Sequence, residues 1–286
     1  MLTSLDARRD IDVGLARLSG APTSVISTID HDHHRVRRIP LLPFFSKQSI
    51  VKLEPFIWSR VNLLIKKLRH GLRTGQVIEL IDVYGAITTD VISGYAYGET
   101  FNYLGKDSDV SFKNDYMHAI SRLSFVSPIL LHFPLVAGFI LSLPQYALQF
   151  MHPGFSAAND LRRWCTENAI RAIQETQSGA KTPSGKPRTV FDTLLGPNMP
   201  PKEKTLERMT DESFLLIGAG LETTSRFLAN TTTHLLLKPD CLSKLRAELK
   251  TAMPTPDYCP PCSVLENLPY LVSKSPVEVF RGVYVD

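Results

Sequence analysis

Hydrophobic side chains recur at intervals of three and four residues along much of the chain, which is the period of an α-helix with one buried face. The first 29 residues lack this period and predict loop with one short helix. Beyond them, the pattern predicts helices over residues 49–73, 77–97, 113–123, 157–178, 211–238 and 240–251. We therefore expect a mainly α fold in which the 211–238 helix packs against most of the others.

The longest predicted helix carries start and stop signals at both ends. Thr210 can cap it with its hydroxyl, Asp211 and Glu212 place negative charge in its first turn, and Pro239 follows Lys238 at its end. Apolar residues lie on most of its faces, so we expect the helix to be largely buried.

The centre of this helix is unusual for a helix interior. It reads Gly-Ala-Gly-Leu-Glu-Thr-Thr from Gly218 to Thr224. Each glycine costs about 1 kcal/mol relative to alanine, and the threonines are stiff at χ1. Foldable sequences tolerate such conflicts chiefly where function needs them. Small residues let a large flat group approach the backbone, and Glu222 with the hydroxyls beside it can carry protons to that group.

The run Ala219-Gly220-x-Glu222-Thr223-Thr224 resembles the long central helix of the cytochrome P-450 haem-thiolate monooxygenases. In that family the helix crosses the distal face of the haem. The resemblance implies that Ala219 and Gly220 form the oxygen-side groove and that Glu222 and Thr223 relay protons. It also implies a partial cytochrome P-450 fold, roughly the C to J/K helices around a long central I helix.

A second match lies near the start of the chain, where His34-x-x-x-Arg38 precedes Leu-Pro-Phe-Phe-Ser. This resembles the segment in which a tryptophan and an arginine hold a haem propionate, with His34 here in the tryptophan position. A spacing of four places both side chains on one helical face, and the planar guanidinium suits a carboxylate. The neighbouring histidines and aspartates lack the spacing of a known metal motif, so we predict no metal site there.

The C-terminal part resembles the family up to about residue 272. Leu268-Pro269-Tyr270-Leu271 is typical of the approach to the Glu-x-x-Arg helix, and Glu278 and Arg281 have the form of that pair, which braces the proximal side of the haem. Pro276 would break the expected helix. We therefore expect one partial domain over residues 1–286, with 272–286 as a divergent tail.

The four cysteines do not supply the family's haem ligand. Cys165, Cys241, Cys259 and Cys262 all lie outside a Phe-x-x-Gly-x-Arg-x-Cys-x-Gly motif. The family's cofactor is haem, and the thiolate is what favours oxygen–oxygen cleavage. We therefore expect this polypeptide to be a truncated, inactive form of an enzyme that hydroxylates a small lipophilic substrate in secondary metabolism. The Cys-Pro-Pro-Cys spacing at Cys259 and Cys262 is that of a redox dithiol or half of a zinc site, but the sequence has no second pair and no strand–helix pattern before it, so we predict neither.

The apolar stretch over residues 123–143 is the one membrane-like segment. Its prolines argue against a clean spanning helix, and it fits either two short segments at a membrane surface or a buried core hairpin. The resemblance implies the cytosolic face of the endoplasmic reticulum membrane and NADPH–cytochrome P-450 reductase as electron donor. The net charge of +4 gives no reason to expect nucleic acid.

Two alternatives remain open from the sequence. The chain could be a non-catalytic helical fragment or a membrane-surface interaction protein of the same ancestry. It could also be a dinucleotide-binding module, with a strand over residues 214–217 and a glycine-rich loop at Gly218–Gly220. Asp240 would then be the acidic residue that binds the ribose.

Overall fold

The computed structural model describes residues 10–18, 20–105, 112, 116–118, 121, 132–133, 135–136, 139, 143, 153–178, 189–255 and 258–274. Within these ranges the regular structure is helical and no strand occurs. The prediction of a mainly α fold is confirmed. Glu278, Arg281, most of the tail and most of the 123–143 segment lie outside the described residues.

The helices, numbered in chain order, are α1 Val13–Leu18, α2 His31–Arg38, α3 Lys47–Thr74, α4 Leu80–Tyr97, α5 Pro153–Gln177, α6 Val190–Leu194, α7 Leu206–Leu237, α8 Pro239–Ala252 and α9 Cys262–Leu265. Short 3-10 turns span Ile39–Leu41 and Pro201–Glu203, and a π turn spans Tyr270–Lys274. Helices α3, α4, α5 and α8 match predicted helices to within four residues at each end. The predicted helix over 113–123 falls mostly outside the described residues, although 116–118 and 121 are helical.

The central helix α7 begins earlier than the sequence signals indicate. Its N-cap is Thr205, whose side chain accepts a hydrogen bond from the backbone N–H of Arg208. The prediction that Thr210 caps the helix is therefore wrong. Asp211 and Glu212 lie in the second turn, both fully buried, and they bind groups elsewhere in the chain.

Those two acids hold the N-terminal loop against α7. The Oδ2 atom of Asp211 accepts from the backbone N–H and the hydroxyl of Thr23, at 2.8 Å and 2.7 Å. The Oε2 atom of Glu212 accepts from the backbone N–H of Val25 at 3.0 Å. Arg162 of α5 joins the same cluster, because its guanidinium donates to Asp211 and to the carbonyl of Gly20. The cluster ties the loop, α5 and α7 together.

Helix α4 runs antiparallel along α7 and is its most extensive neighbour. The contacts pair the end of one helix with the start of the other. The hydroxyl of Tyr97 donates to the carbonyl of Ser213 at 3.1 Å, and the hydroxyls of Tyr84 and Thr232 lie 2.7 Å apart. The core divides into two parts: one between α4, α5, α6 and the first half of α7, the other between α3, α4 and the residues that follow α4.

The second half of α7 is more exposed than the sequence pattern predicts. Phe227, Leu236 and Leu237 are 45%, 62% and 73% exposed. The expectation that α7 is largely buried holds for residues 208–213 and Ile217, and it is wrong for these three apolar residues.

The dinucleotide-binding alternative is wrong. It requires a strand over residues 214–217 followed by a glycine-rich loop, whereas both stretches lie inside α7. Asp240 belongs to the first turn of α8.

Candidate functional site

The central turn of α7 presents small side chains on an open face. Ala219 and Thr223 are four residues apart, lie on the same side of the helix and are both exposed. The hydroxyl of Thr223 donates to the carbonyl oxygen of Ala219 at 2.8 Å. This bond fixes the hydroxyl hydrogen and leaves the lone pairs of Oγ1 free to accept another hydrogen bond.

Gly220 lies about a quarter-turn away from Ala219 and faces α4. A Cβ atom added to this glycine would lie 2.8 Å from Cγ1 and 3.1 Å from Cβ of Ile92. The glycine thus lets the two helices approach closely, while Ala219 lies on the open face. The two adjacent small residues of the motif have different surroundings.

Glu222 is half-buried and carries its own counter-ion. Its Oε1 atom accepts from Nε of Arg226, one turn later, at 3.1 Å. The Glu222 carboxylate therefore belongs to the same turn of α7 as Thr223, and its partner is the partly exposed guanidinium of Arg226.

A separate group of candidate residues is on α2, which begins after the N-cap Asp30. His34 is half-buried, and its burial, together with the nearby charges of Arg38 and His31, lowers the pKa of its imidazole. The neutral form, with one N–H donor, is thereby favoured. Arg38 is exposed, and among the described residues no carboxylate forms an ion pair with it. His34 and Arg38 together offer hydrogen-bond donors and a positive charge to an anion.

A different pair on α2 binds a carboxylate that the sequence did not reveal. Nε2 of His33 and Nε of Arg37 each lie 2.7 Å from one oxygen of Glu203. Glu203 is only 2% exposed. Burial acts to raise its pKa, but the hydrogen bonds from His33 and Arg37 outweigh it, and the pKa lies below its ordinary value.

Arg208 extends this cluster into the core. It is 1% exposed, it donates to Glu212, and its Nε atom lies 3.5 Å from Glu203. Burial raises the pKa of Glu212 despite the charge of Arg208. Glu203 follows two prolines, about 170 residues after α2, and no local pattern in the sequence marks it as a partner of that helix.

These groups fit part of a haem site. The exposed small residues of α7 can lie against a flat macrocycle, and Arg38 with His34 can bind a propionate. An axial thiolate is not provided by Cys165, which is fully buried in the core, where burial raises the pKa of its thiol to about 12. Among the described residues no cluster of three or more histidine, cysteine or acidic side chains could hold a metal ion.

Comparison with known proteins agrees with this geometry. The family model for cytochrome P450 matches residues 7–274 of the chain. This chain belongs to the cytochrome P-450 family. Cytochrome P-450 monooxygenase TRI4 of Fusarium sporotrichioides is 38% identical over 250 residues, which are 87% of this chain and 47% of that protein. Conidiogenone synthase of Penicillium rubens is 38% identical over 266 residues, which are 92% of this chain and 51% of that protein.

The chain spans about half the length of the curated cytochrome P-450 relatives that it matches. A crystal structure of a cytochrome P-450 aligns with a TM-score of 0.62 at 16% identity, covering 87% of this chain and 53% of the other. The partial cytochrome P-450 fold is thus confirmed. Among the residues that the structure describes, no helix is both long and apolar enough to cross a membrane.

Proposed function

We propose that this chain supplies the oxygen-side wall and one propionate-binding pair of a haem-dependent monooxygenase that hydroxylates a small lipophilic substrate in secondary metabolism. The observation that carries this proposal is the open face of small side chains at Ala219 and Thr223, in the middle of the long central helix. Haem, when bound, supplies the iron at which dioxygen is activated.

Each residue of the site has a distinct role in this proposal. Ala219 leaves room above the macrocycle, while Gly220 lets α7 lie close to α4. Thr223 accepts a hydrogen bond at Oγ1, because its own hydrogen is directed to the carbonyl of Ala219. Glu222, which accepts a hydrogen bond from Arg226, relays protons together with Thr223.

In the same proposal, Arg38 of α2 binds a propionate with its guanidinium, and His34 donates a single hydrogen bond beside it. Glu278 and Arg281 complete the proposal as the pair that braces the proximal side. The wider proposal includes NADPH–cytochrome P-450 reductase as electron donor. It also includes contact of residues 123–143 with the cytosolic face of the endoplasmic reticulum membrane.

The 286 residues contain no cysteine in the axial motif. We therefore expect them, by themselves, to bind haem without thiolate ligation and to hydroxylate nothing. The test is an absorbance spectrum of the purified chain, reconstituted with haem, reduced and exposed to carbon monoxide. A Soret band without the red shift of thiolate ligation is expected.

Two other outcomes of that test would change the proposal. A red-shifted band would mean that one of the four cysteines binds the iron, and the expected inactivity would be wrong. Failure to retain haem would favour the alternative of a non-catalytic helical protein.

Arg38→Gln should weaken haem retention by about tenfold, since it removes a charged hydrogen bond. Arg35→Gln, at an exposed position of the same helix, is the matched control.

A further inference from the structure

Helix α2 carries the two proposed propionate ligands but has no apolar anchor of its own. It is eight residues long, and none of its residues is buried. A helix of this length is unstable alone in water. Leu41, in the turn that follows α2, is buried in the core and holds its C-terminal end. Side-chain contacts of α2 itself with the rest of the chain are polar, and we expect them to set its rotation.

Those contacts converge on one carboxylate. Both oxygens of Glu203 are engaged by α2, one by His33 and the other by Arg37, each at 2.7 Å. Arg37 also donates to the hydroxyl of Thr28 at 2.7 Å. At the N-terminus of α2, Asp30 and Asp10 accept from backbone N–H groups, which fixes where the helix starts but not its rotation.

Glu203 is itself firmly held. It ends the turn that leads into α7, and its backbone N–H donates to the carbonyl of Pro200 at 2.9 Å. The buried guanidinium of Arg208 lies beside it. A buried carboxylate with several donors is costly to displace, because any remaining partner would be left as an unpaired charge.

The two faces of α2 are geometrically linked. Successive residues of a helix are rotated by about 100°, so the His33–Arg37 pair and the His34–Arg38 pair lie about a quarter-turn apart. Fixing the first pair fixes the direction of the second. We propose that Glu203 is a positioning residue, which sets the rotation of α2 and thereby directs His34 and Arg38 towards the haem propionate. This inference rests on the proposed function.

The test compares five variants of the 286-residue chain: Glu203→Gln, Arg37→Gln, the double variant of these two, Arg38→Gln and, as control, Glu207→Gln. Glu207 is an exposed acid in the first turn of α7, four residues from Glu203. Two quantities are measured. The first is hydrogen exchange of the α2 amides, with the α4 amides as an internal reference for global stability. The second is haem affinity, from titration of the Soret band.

We expect Glu203→Gln to accelerate exchange in α2 by about tenfold beyond any change in the α4 amides, and to weaken haem binding by about tenfold. Arg37→Gln should behave in the same way, and the double variant should be no worse than the more affected single one. Arg38→Gln should weaken haem binding without changing exchange in α2, because it removes a ligand and leaves the helix docked. Glu207→Gln should change neither quantity.

Two results would overturn the inference. Unchanged exchange in α2 of Glu203→Gln would mean that Glu203 does not hold the helix. Suppose instead that Glu203→Gln accelerates exchange in α2 but leaves haem affinity unaltered, while Arg38→Gln weakens haem binding. The contact of α2 with Glu203 would then not direct His34 and Arg38 towards the haem. If the unsubstituted chain takes up no haem, the proposed function fails together with the haem part of this inference. The exchange data then decide separately whether Glu203 orients α2.

Discussion

Ile92 of α4 packs directly on the backbone of Gly220 in α7, and a Cβ atom on that glycine would lie 2.8 Å from its Cγ1 atom. Gly220 is next to Ala219, which faces the open side of α7. The glycine of the motif therefore has a packing role between two helices, in addition to any role beside the haem.

This contact predicts the effect of a larger side chain. Gly220→Val should lower the free energy of unfolding by about 2 kcal/mol, since the added methyl groups overpack the interface. The measurement is urea denaturation followed by circular dichroism. Ile92→Ala in the Gly220→Val background should recover part of the loss. A valine that is tolerated without cost would contradict the close approach of the two helices.

The buried carboxylate of Asp211 gives a second prediction. Asp211→Asn should lower the free energy of unfolding by about 2 kcal/mol, because it weakens the charged hydrogen bonds to Thr23 and Arg162. Exchange of the amides over residues 20–28 should increase. Asp160→Asn, at an exposed position of α5, should leave stability within about 0.5 kcal/mol of the original. Equal effects of the two substitutions would argue against the Asp211 cluster.

Glu203 predicts a pH dependence. Its pKa in the folded chain lies below the ordinary value of 4.5. The stability that its ionised form contributes is therefore fully present above about pH 4.5, and it is lost as the pH falls through the lowered pKa. The difference in unfolding free energy between the original chain and Glu203→Gln should be about 2 kcal/mol at pH 6, and it should shrink on acidification below pH 4.5.

Chemical denaturation at a series of pH values checks this prediction. Glu207→Gln removes an exposed carboxylate. The difference in unfolding free energy between this variant and the original chain should not shrink comparably as the pH falls. A Glu203→Gln difference that stays constant down to pH 3 would mean that the ionised carboxylate contributes nothing to stability.

The cysteines should differ in reactivity. Burial raises the pKa of Cys165 to about 12, and the side chain is inaccessible, so its thiolate is scarce and shielded at neutral pH. Cys241, Cys259 and Cys262 are partly exposed. Iodoacetamide at pH 8 should modify these three in the folded chain, and Cys165 only after unfolding in urea. Mass spectrometry of the digested protein identifies the modified positions, and rapid labelling of Cys165 would contradict its burial.

The sequence predicted the helices well because each depends on a local pattern. It misplaced the start of α7 because Thr205 and Thr210 are both followed by acids at suitable distances, so either could cap a helix. Only the tertiary structure distinguishes the two threonines. The acids that follow Thr210, Asp211 and Glu212, bind Thr23 and Val25, which are far away in the sequence.

The candidate site was predictable only in part, for the same reason. The spacing of Ala219 and Thr223, and of His34 and Arg38, is visible as helical periodicity. The packing of Gly220 against Ile92 depends on the position of α4, which no local pattern reveals. The contact of α2 with Glu203 joins segments that no local pattern connects. The roles of all these residues towards haem stay predictions.

The anchoring of the N-terminal loop to α7 also has a consequence for biosynthesis. Thr23 and Asp211 are separated by 188 positions. At a translation rate of about 5–20 residues per second, the loop is synthesised roughly 10–40 s before its partner. During that interval, the backbone donors of Thr23 and Val25 lack the carboxylates that they bind in the folded chain. The loop must therefore dock late, after α7 has emerged, and a ribosome that stalls before residue 211 would hold a chain whose N-terminal loop is still open.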